Sequence, residues 1–238
     1  MARSIPPDRF AQLVDASTRT FIVRGYRLTQ VADVADSLGI AKGTIYGYVE
    51  SKEALFDACV RYADRHLTPP SSSELPIRTP ATGATVKHIR ERLAIEASEM
   101  TLLHVVGGHR TIPDARAELA AILSDLYRRV ARNRLALKLI DRCAAEYPDL
   151  AGVWFDEGRW AQHKLLVEFL ERRAKQKRIR RLERPDIVAR TILETIAFWA
   201  MHRHFDPSPQ PIDEATAEAA VVDLFAEGLL KGPRGADR

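Results

Sequence analysis

Eleven consecutive residues, "KGTIYGYVESK" from Lys42 to Lys52, combine two lysines, a threonine, two tyrosines and a serine around two glycines. Ammonium and hydroxyl groups at that density suit an array of phosphate oxygens, the cations supplying attraction and the O–H donors orientation. Both lysines also stand where a helical segment should begin. The positive end of a helix dipole favours carboxylates there and disfavours ammonium groups, by ~0.3–1 kcal/mol. Two such lysines ten residues apart point to an anionic partner beside both. An ordinary helical hairpin with solvated lysines is the plainer alternative.

The elements that must position these groups are readable from periodicity. Phe10 to Arg24 reads as a helix with Phe10, Leu13, Ala16, Thr20 and Phe21 tending to one face. Gly25 is placed to stop it, because glycine tolerates a left-handed backbone. Thr29 is expected to cap a second helix, Gln30 to Ser37, and Gly39 makes the following turn. A short segment from Lys42 to Tyr46 comes next, and Ser51 caps a helix running to about Leu67. The Lys42–Tyr46 segment is too short to be stable alone. Packing through Val31, Val34, Leu38, Ile40, Ile45 and Val49 must hold it, which leaves Lys42, Thr44, Tyr46 and Tyr48 to face outwards. This is the logic of a helix-turn-helix, whose second helix enters the major groove of DNA. Gly43 removes a side chain where a backbone could approach closely.

The stretch "FIVRGYRLTQVADVADSLGIAKGTIYGYVESKEALF" resembles the N-terminal domain of TetR-family transcriptional regulators, a likeness covering roughly Phe10 to Val60. Its elements occur in order: Gly-Tyr, a capping Thr, Lys-Gly-Thr-aliphatic-Tyr, and Ser-Lys-Glu-Ala-Leu-Phe. The resemblance implies phosphate or base contacts from Thr29, Lys42, Gly43, Thr44, Tyr46, Tyr48 and Lys52. Three departures stand out. Ala41 replaces a frequent serine, removing an N-cap worth ~1 kcal/mol. Gly47 replaces a larger side chain that would contact DNA. Val49 replaces a phenylalanine, so the core beneath the second helix is smaller.

The whole chain, 238 residues with 46% hydrophobic residues, reads as all-α. The expected architecture is an N-terminal three-helix helix-turn-helix domain joined to a larger helical ligand-binding and dimerisation domain. Residues 1–67 form the DNA-binding domain with its connecting helix. The Pro-, Ser- and Thr-rich residues 68–85 form a loop or hinge, 86–230 the effector and dimer domain, and 231–238 a flexible tail. Helices are expected at Val86–Leu103, through the stripe from Leu119 to Ile140, at Leu150–Arg173, at Asp186 to about Phe205, and at Glu214–Leu230. The net charge of +4 and pI near 9.2 permit an anionic partner without requiring one. No apolar run approaches the ~20 residues that span a bilayer, and no secretory leader is evident, so a cytoplasmic protein without membrane contact is expected. Cys59 and Cys143 have no metal-ligand spacing and read as packed small hydrophobes. Neither a phosphate-cradling glycine loop nor a nucleophile elbow is present, so no enzyme activity and no cofactor are expected.

Family pockets lie among the middle helices. An effector pocket is therefore assigned to Met100, Leu103, His104, Val130, Asn133, Leu137, Trp154 and Trp160. Apolar residues with a few neutral polar ones suit a hydrophobic, neutral or weakly anionic small molecule. The tryptophans of "WFDEGRW" fit a core or interface role equally well. A homodimer is expected to meet through Leu166, Phe169, Ile192, Ile196 and Trp199, beside the family-like "EYPDL" at Glu146–Leu150. His202, His204 and Asp206 do not converge on one ion, and the basic run Arg172–Arg181 reads as a solvated helix end. The resulting expectation is a repressor that binds a pseudo-palindromic operator on double-stranded DNA and is released by its effector. The alternative is a helical enzyme or ligand sensor in which the N-terminal hairpin is only structural.

Overall fold

Residues 7–230 are described by the structure, a computed structural model, and the expected tail at 231–238 lies outside them. Eleven α-helices are described: α1 (Pro7–Leu28), α2 (Val31–Ser37), α3 (Lys42–Ile45), α4 (Lys52–Tyr62), α5 (Ala84–Ser98), α6 (Thr101–Val106), α7 (Ala115–Arg132), α8 (Arg134–Cys143), α9 (Ala161–Lys175), α10 (Pro185–Ala200) and α11 (Glu214–Leu230). Among the described residues the one extended pairing is a parallel bridge between Val49 and Ile77. No described helix is long and apolar enough to cross a membrane.

The chain divides into two compact units, Met1–Glu91 with Asn133–Trp154, and Arg92–Arg132 with Phe155–Arg238. This division differs from the expected linear order, because α8 leaves the middle helices and joins the first unit. The long stripe expected from Leu119 to Ile140 is really two helices broken at Asn133, whose φ of −110° and ψ of 19° are not helical. Asp64 supplies what the break needs: its carboxylate accepts the N–H groups of Leu135 and Ala136, both at 2.9 Å. Those are orphan donors of the first turn of α8. Burial nevertheless raises the Asp64 pKa, outweighing the two N–H groups that lower it. The end of α5 at Ser98 and the fresh start of α6 at Thr101 likewise divide the single helix expected at Val86–Leu103.

In the first unit, α1 turns Phe10, Leu13, Val14, Ser17 and Phe21 inward, and α8 packs on both α1 and α4. Phe21, Tyr26, Phe56 and Tyr147 form a ring cluster with centroids 4.7–5.3 Å apart for the contacts Phe21–Phe56, Tyr26–Phe56, Tyr26–Tyr147 and Phe56–Tyr147. Such aromatic pairs add ~0.5–1.5 kcal/mol beyond area burial. Gly25 breaks α1 with φ 81° and ψ 173°, and a Cβ there would meet both Glu146 carboxylate oxygens at 2.6 Å. The "EYPDL" segment thus belongs to this corner. Glu146 accepts the Arg27 N–H at 2.8 Å and an Arg142 N–H at 2.7 Å, which hold its carboxyl below the ordinary range.

The second unit packs α6, α7, α9, α10 and α11 around Leu102, Leu119, Ile122, Leu126, Tyr127, Phe169, Ile192 and Val221. Its basic residues are not all solvated, contrary to the reading of Arg172–Arg181. Arg173 holds the buried Glu118 through two bonds of 2.7 and 2.8 Å, and Arg172, Arg178 and Arg180 donate to the carbonyls of Val106, Ile112 and Gly228. A guanidinium fork can satisfy carboxylates and carbonyls that a packed bundle leaves unpaired. The Asp186–Phe205 helix ends at Ala200, and His202–Phe205 forms a 3₁₀ turn. Between Gly152 and Trp160 the chain takes a wide π-helical course before α9.

Candidate nucleic-acid interface

α2 begins one residue later than expected, and Thr29 does not cap it. Thr29 is fully buried, and its hydroxyl donates to the Gly25 carbonyl at 2.6 Å, closing the end of α1. The capping comes from the other side: the Asp33 carboxylate accepts the Gln30 N–H at 2.7 Å and pairs with Arg24. Val31, Val34 and Ala35 face the core, and Gly39, at φ 62°, makes the turn.

α3 is a single turn held by one side chain. Ile45 is completely buried, whereas Lys42, Gly43, Thr44 and Tyr46 are all exposed, Tyr46 at 42%. Ala41 provides no side-chain cap, as its type requires. A Cβ added at Gly43 would meet nothing within 4 Å, so protein packing does not demand a glycine there. Tyr48 departs from expectation: it is only 5% exposed and packs inward with Val49, so its side chain is removed from the outward row. The reason is the extra turn after Ile45, which rotates positions 48 and 49 towards the core.

Ser51 caps α4 as expected, its hydroxyl accepting the Ala54 N–H at 3.1 Å. Lys52 follows, half-buried. Its ammonium donates to the Arg27 carbonyl at 3.3 Å and lies 4.6 Å from the centroid of the Tyr26 ring. The dipole penalty on this lysine is therefore offset within the protein, by a carbonyl in the last turn of α1 and an aromatic face. An ammonium has three donors, so one such bond leaves two for another partner. Lys42 has no such compensation among the described residues.

The surface that results is a row of one ammonium, one bare backbone position and two hydroxyls on a one-turn helix, flanked by a second lysine. The sequence profile described as "Bacterial regulatory proteins, tetR family" matches residues 13–59, which contain this whole arrangement. Residues 13–59 are thus similar to the N-terminal domain of TetR-family regulators. The likeness in sequence is local: the HTH-type transcriptional repressor KstR2 of Rhodococcus jostii (strain RHA1) is 40% identical over 53 residues, 22% of this chain and 26% of that protein. The chain thus aligns with about a quarter of that curated relative. In fold, solved structures match nearly the whole chain. The probable transcriptional regulatory protein RHA5900 matches with a TM-score of 0.59 at 19% identity, covering 94% of this chain and all of that one. AibR, solved in complex with isovaleryl coenzyme A and operator DNA, matches with a TM-score of 0.50 at 15% identity, over 93% and 98% of the two chains.

The residues assigned to the effector and the dimer have varied surroundings in this fold. Asn133, Leu137 and Trp154 fall in the first unit, while Met100, Leu103, His104, Val130 and Trp160 fall in the second. Trp154 is buried with its indole N–H donated to Asp141 at 2.9 Å, and Asn133 contacts His66 at 3.1 Å. Met100 is sealed in the second core, whereas Leu103 is 39% exposed and Trp160 is 48% exposed, stacked on His163. An open groove of about 680 Å³ in the second unit is lined by Glu171, Lys175, Lys177, Arg181, Leu182 and neighbouring residues, and by none of the eight. Of the five interface residues, Leu166, Phe169, Ile192 and Ile196 are at most 1% exposed inside their own protomer. That is a correction: the most apolar stripes of α9 and α10 face each other and the core. Trp199 is half-buried against the same core.

Proposed function

We propose that this protein is a DNA-binding transcriptional regulator that acts as a homodimer and is released from its operator by a small molecule. The observation that carries this reading is the exposed row Lys42, Gly43, Thr44 and Tyr46 above the single buried anchor Ile45. Nothing in the packing of the first unit uses those side chains, and their chemistry is that of phosphate and base-edge contacts. Thr29 and Tyr48 leave the contact set, and Lys52 remains in it with its two unused donors. Two protomers would present α3 to successive major grooves ~34–36 Å apart on a pseudo-palindrome.

The dimer face shifts outward from the expected one. Ile187 and Phe198 are 52% and 46% exposed on α10, three helical turns apart on one side, and Phe155 and Trp160 add exposed aromatic area in the same unit. This outer face is our candidate for an isologous contact. The effector is a hydrophobic molecule, neutral or weakly anionic, with Leu103, His104 and Val130 as its first candidate contacts because none of them is sealed in the core. AibR was solved with isovaleryl coenzyme A, whose phosphates make it strongly anionic, so an acyl coenzyme A belongs in the first screen as the competing ligand class.

The decisive experiment is a salt titration of binding to duplex DNA. The protein should bind more weakly as salt rises, and Lys42→Ala should reduce the slope of log K against log[salt] by ~1 on operator and random DNA alike. An unchanged slope in that variant would remove α3 from the interface. Sedimentation at micromolar concentration should show a dimer, and a clean monomer would end the palindrome argument. An effector that raises the melting temperature should also weaken operator binding, and operator must weaken the effector by the same factor.

A further inference from the structure

Residues 68–85 were expected to be a free loop or hinge, yet part of this segment is fastened to the connection between α3 and α4. Ile77 donates its N–H to the Tyr48 carbonyl at 2.8 Å, and its own carbonyl accepts the Glu50 N–H at 3.0 Å, forming the parallel bridge to Val49. Two residues later, Thr79 donates its N–H to the Glu50 carboxylate at 2.9 Å and its hydroxyl to the Ser51 hydroxyl at 2.8 Å. That serine is the cap of α4. The backbone is therefore tied on both sides of Arg78. Ile77 is half-buried, and neighbouring residues of an extended chain point to opposite sides, so Arg78 points away from the core and is exposed. It has no hydrogen bond or ion pair with any of the described residues.

We propose that Arg78 is an additional contact to the DNA backbone, held beside the helix-turn-helix by this strap. The proposal rests on the DNA-binding reading above and extends it to a segment outside residues 13–59. Val49 lies three residues after Tyr46 and three before Lys52, in the middle of the candidate interface. Strand spacing and one Cα step put the Arg78 Cα within about 9 Å of the Val49 Cα. The Glu50 carboxylate would oppose a phosphate at this point, but it is occupied by the Thr79 N–H. Fixing the backbone on both sides of an arginine also lowers the ordering cost of bringing its charge to a partner. A planar guanidinium matches phosphate oxygens two at a time.

The test uses the full chain, a random-sequence duplex and a salt titration followed by fluorescence anisotropy, with Lys42→Ala as the reference. Arg78→Ala should weaken binding several-fold at low salt and lower the salt slope by ~0.9, one phosphate contact, with melting unchanged. Arg78→Lys should keep the slope, because the charge remains. Thr79→Val, which cuts the tie to Ser51, should give a smaller loss of affinity, and adding it to Arg78→Ala should change nothing further. If Lys42→Ala lowers the slope and Arg78→Ala does not, the strap contact is overturned while the helix-turn-helix reading stands. If the unaltered protein shows no salt-dependent binding, both are overturned. If Arg78→Ala also lowers the melting temperature, a slope that Arg78→Lys fails to restore overturns the contact.

Discussion

Two sets of basic residues, one in each unit, are put to opposite uses. In the first, Lys42 is exposed and Lys52 keeps spare donors, on elements that the core merely supports from behind. In the second, Arg129 and Arg173 are nearly buried, holding Asp125, Glu96 and Glu118 and the carbonyls of Glu96 and Glu99. The physical reason is desolvation. A charge left exposed stays available to an outside anion at little cost, whereas a charge brought inside must be paired and hydrogen-bonded to remain. A guanidinium fork suits the second task, and a compact ammonium on a flexible stem suits the first. Charge counts alone therefore say little about where a protein binds nucleic acid.

The largest effect that could break this contrast concerns the buried pair. Arg173→Ala leaves Glu118, 3% exposed, with Arg178 as its remaining basic neighbour, and should cost about 3–5 kcal/mol in denaturant unfolding. Replacing both partners by apolar side chains, Glu118→Leu with Arg173→Met, should cost much less. A single substitution worth less than ~1 kcal/mol would mean that the pair behaves as a surface one.

Next in size is Gly25→Ala in the first unit. The left-handed backbone, with φ 81°, and the 2.6 Å approach to Glu146 together should destabilise by about 2 kcal/mol or more, read from thermal unfolding. A neutral result would show that the Glu146 corner yields easily.

A smaller effect separates the two lysines. Lys52→Ala should lower the DNA salt slope by less than the ~1 expected for Lys42→Ala, and should also cost a few tenths of a kcal/mol of stability, since its ammonium holds Arg27 and Tyr26. Equal slopes with no stability change would mean that the contact to α1 contributes nothing.

The smallest is a pH dependence. The Arg27 N–H and then Arg142 lower the Glu146 pKa below its ordinary 4.5, so the unfolded chain takes up this proton first as pH falls. The stability from this carboxylate is fully present above the unfolded value and is lost as pH drops through the folded one. The melting difference between the native chain and Glu146→Gln should therefore be constant near neutrality and shrink below about pH 4.5. A difference that persists unchanged into acid would remove the charge from the explanation.

Helix starts and stops governed by a few neighbouring residues were legible in the sequence. Ser51 as a cap, Gly25 as a break and the bare start of α3 at Ala41 all depend on local backbone chemistry, which a sequence carries in short windows. The outward row Lys42, Thr44, Tyr46 was legible for the same reason, since one buried Ile45 in a single turn orients it. Burial of the thiols follows the same pattern: Cys59 and Cys143 are fully buried, and desolvation pushes both pKa values up to about 12.

Tertiary structure decided the rest. Periodicity shows that α9 and α10 have apolar faces but not which surface covers them, so Leu166, Phe169, Ile192 and Ile196 read as an interface and are a core. An unbroken apolar stripe cannot reveal that Asp64, some seventy residues earlier, caps α8 and draws it into the first unit. Nor could composition show that the Pro- and Ser-rich segment after α4 is tied back to Tyr48, Glu50 and Ser51. Each of these is a long-range pairing in which one partner's requirement is visible in its own neighbourhood and the group that meets it is not. The sequence by itself determined the all-helical class, the local caps and breaks at Ser51, Gly25 and Ala41, and the family likeness of the first domain. Which apolar face meets which, and which arginine is hidden, depended on the three-dimensional assembly, because burial and pairing are properties of contacts between distant segments.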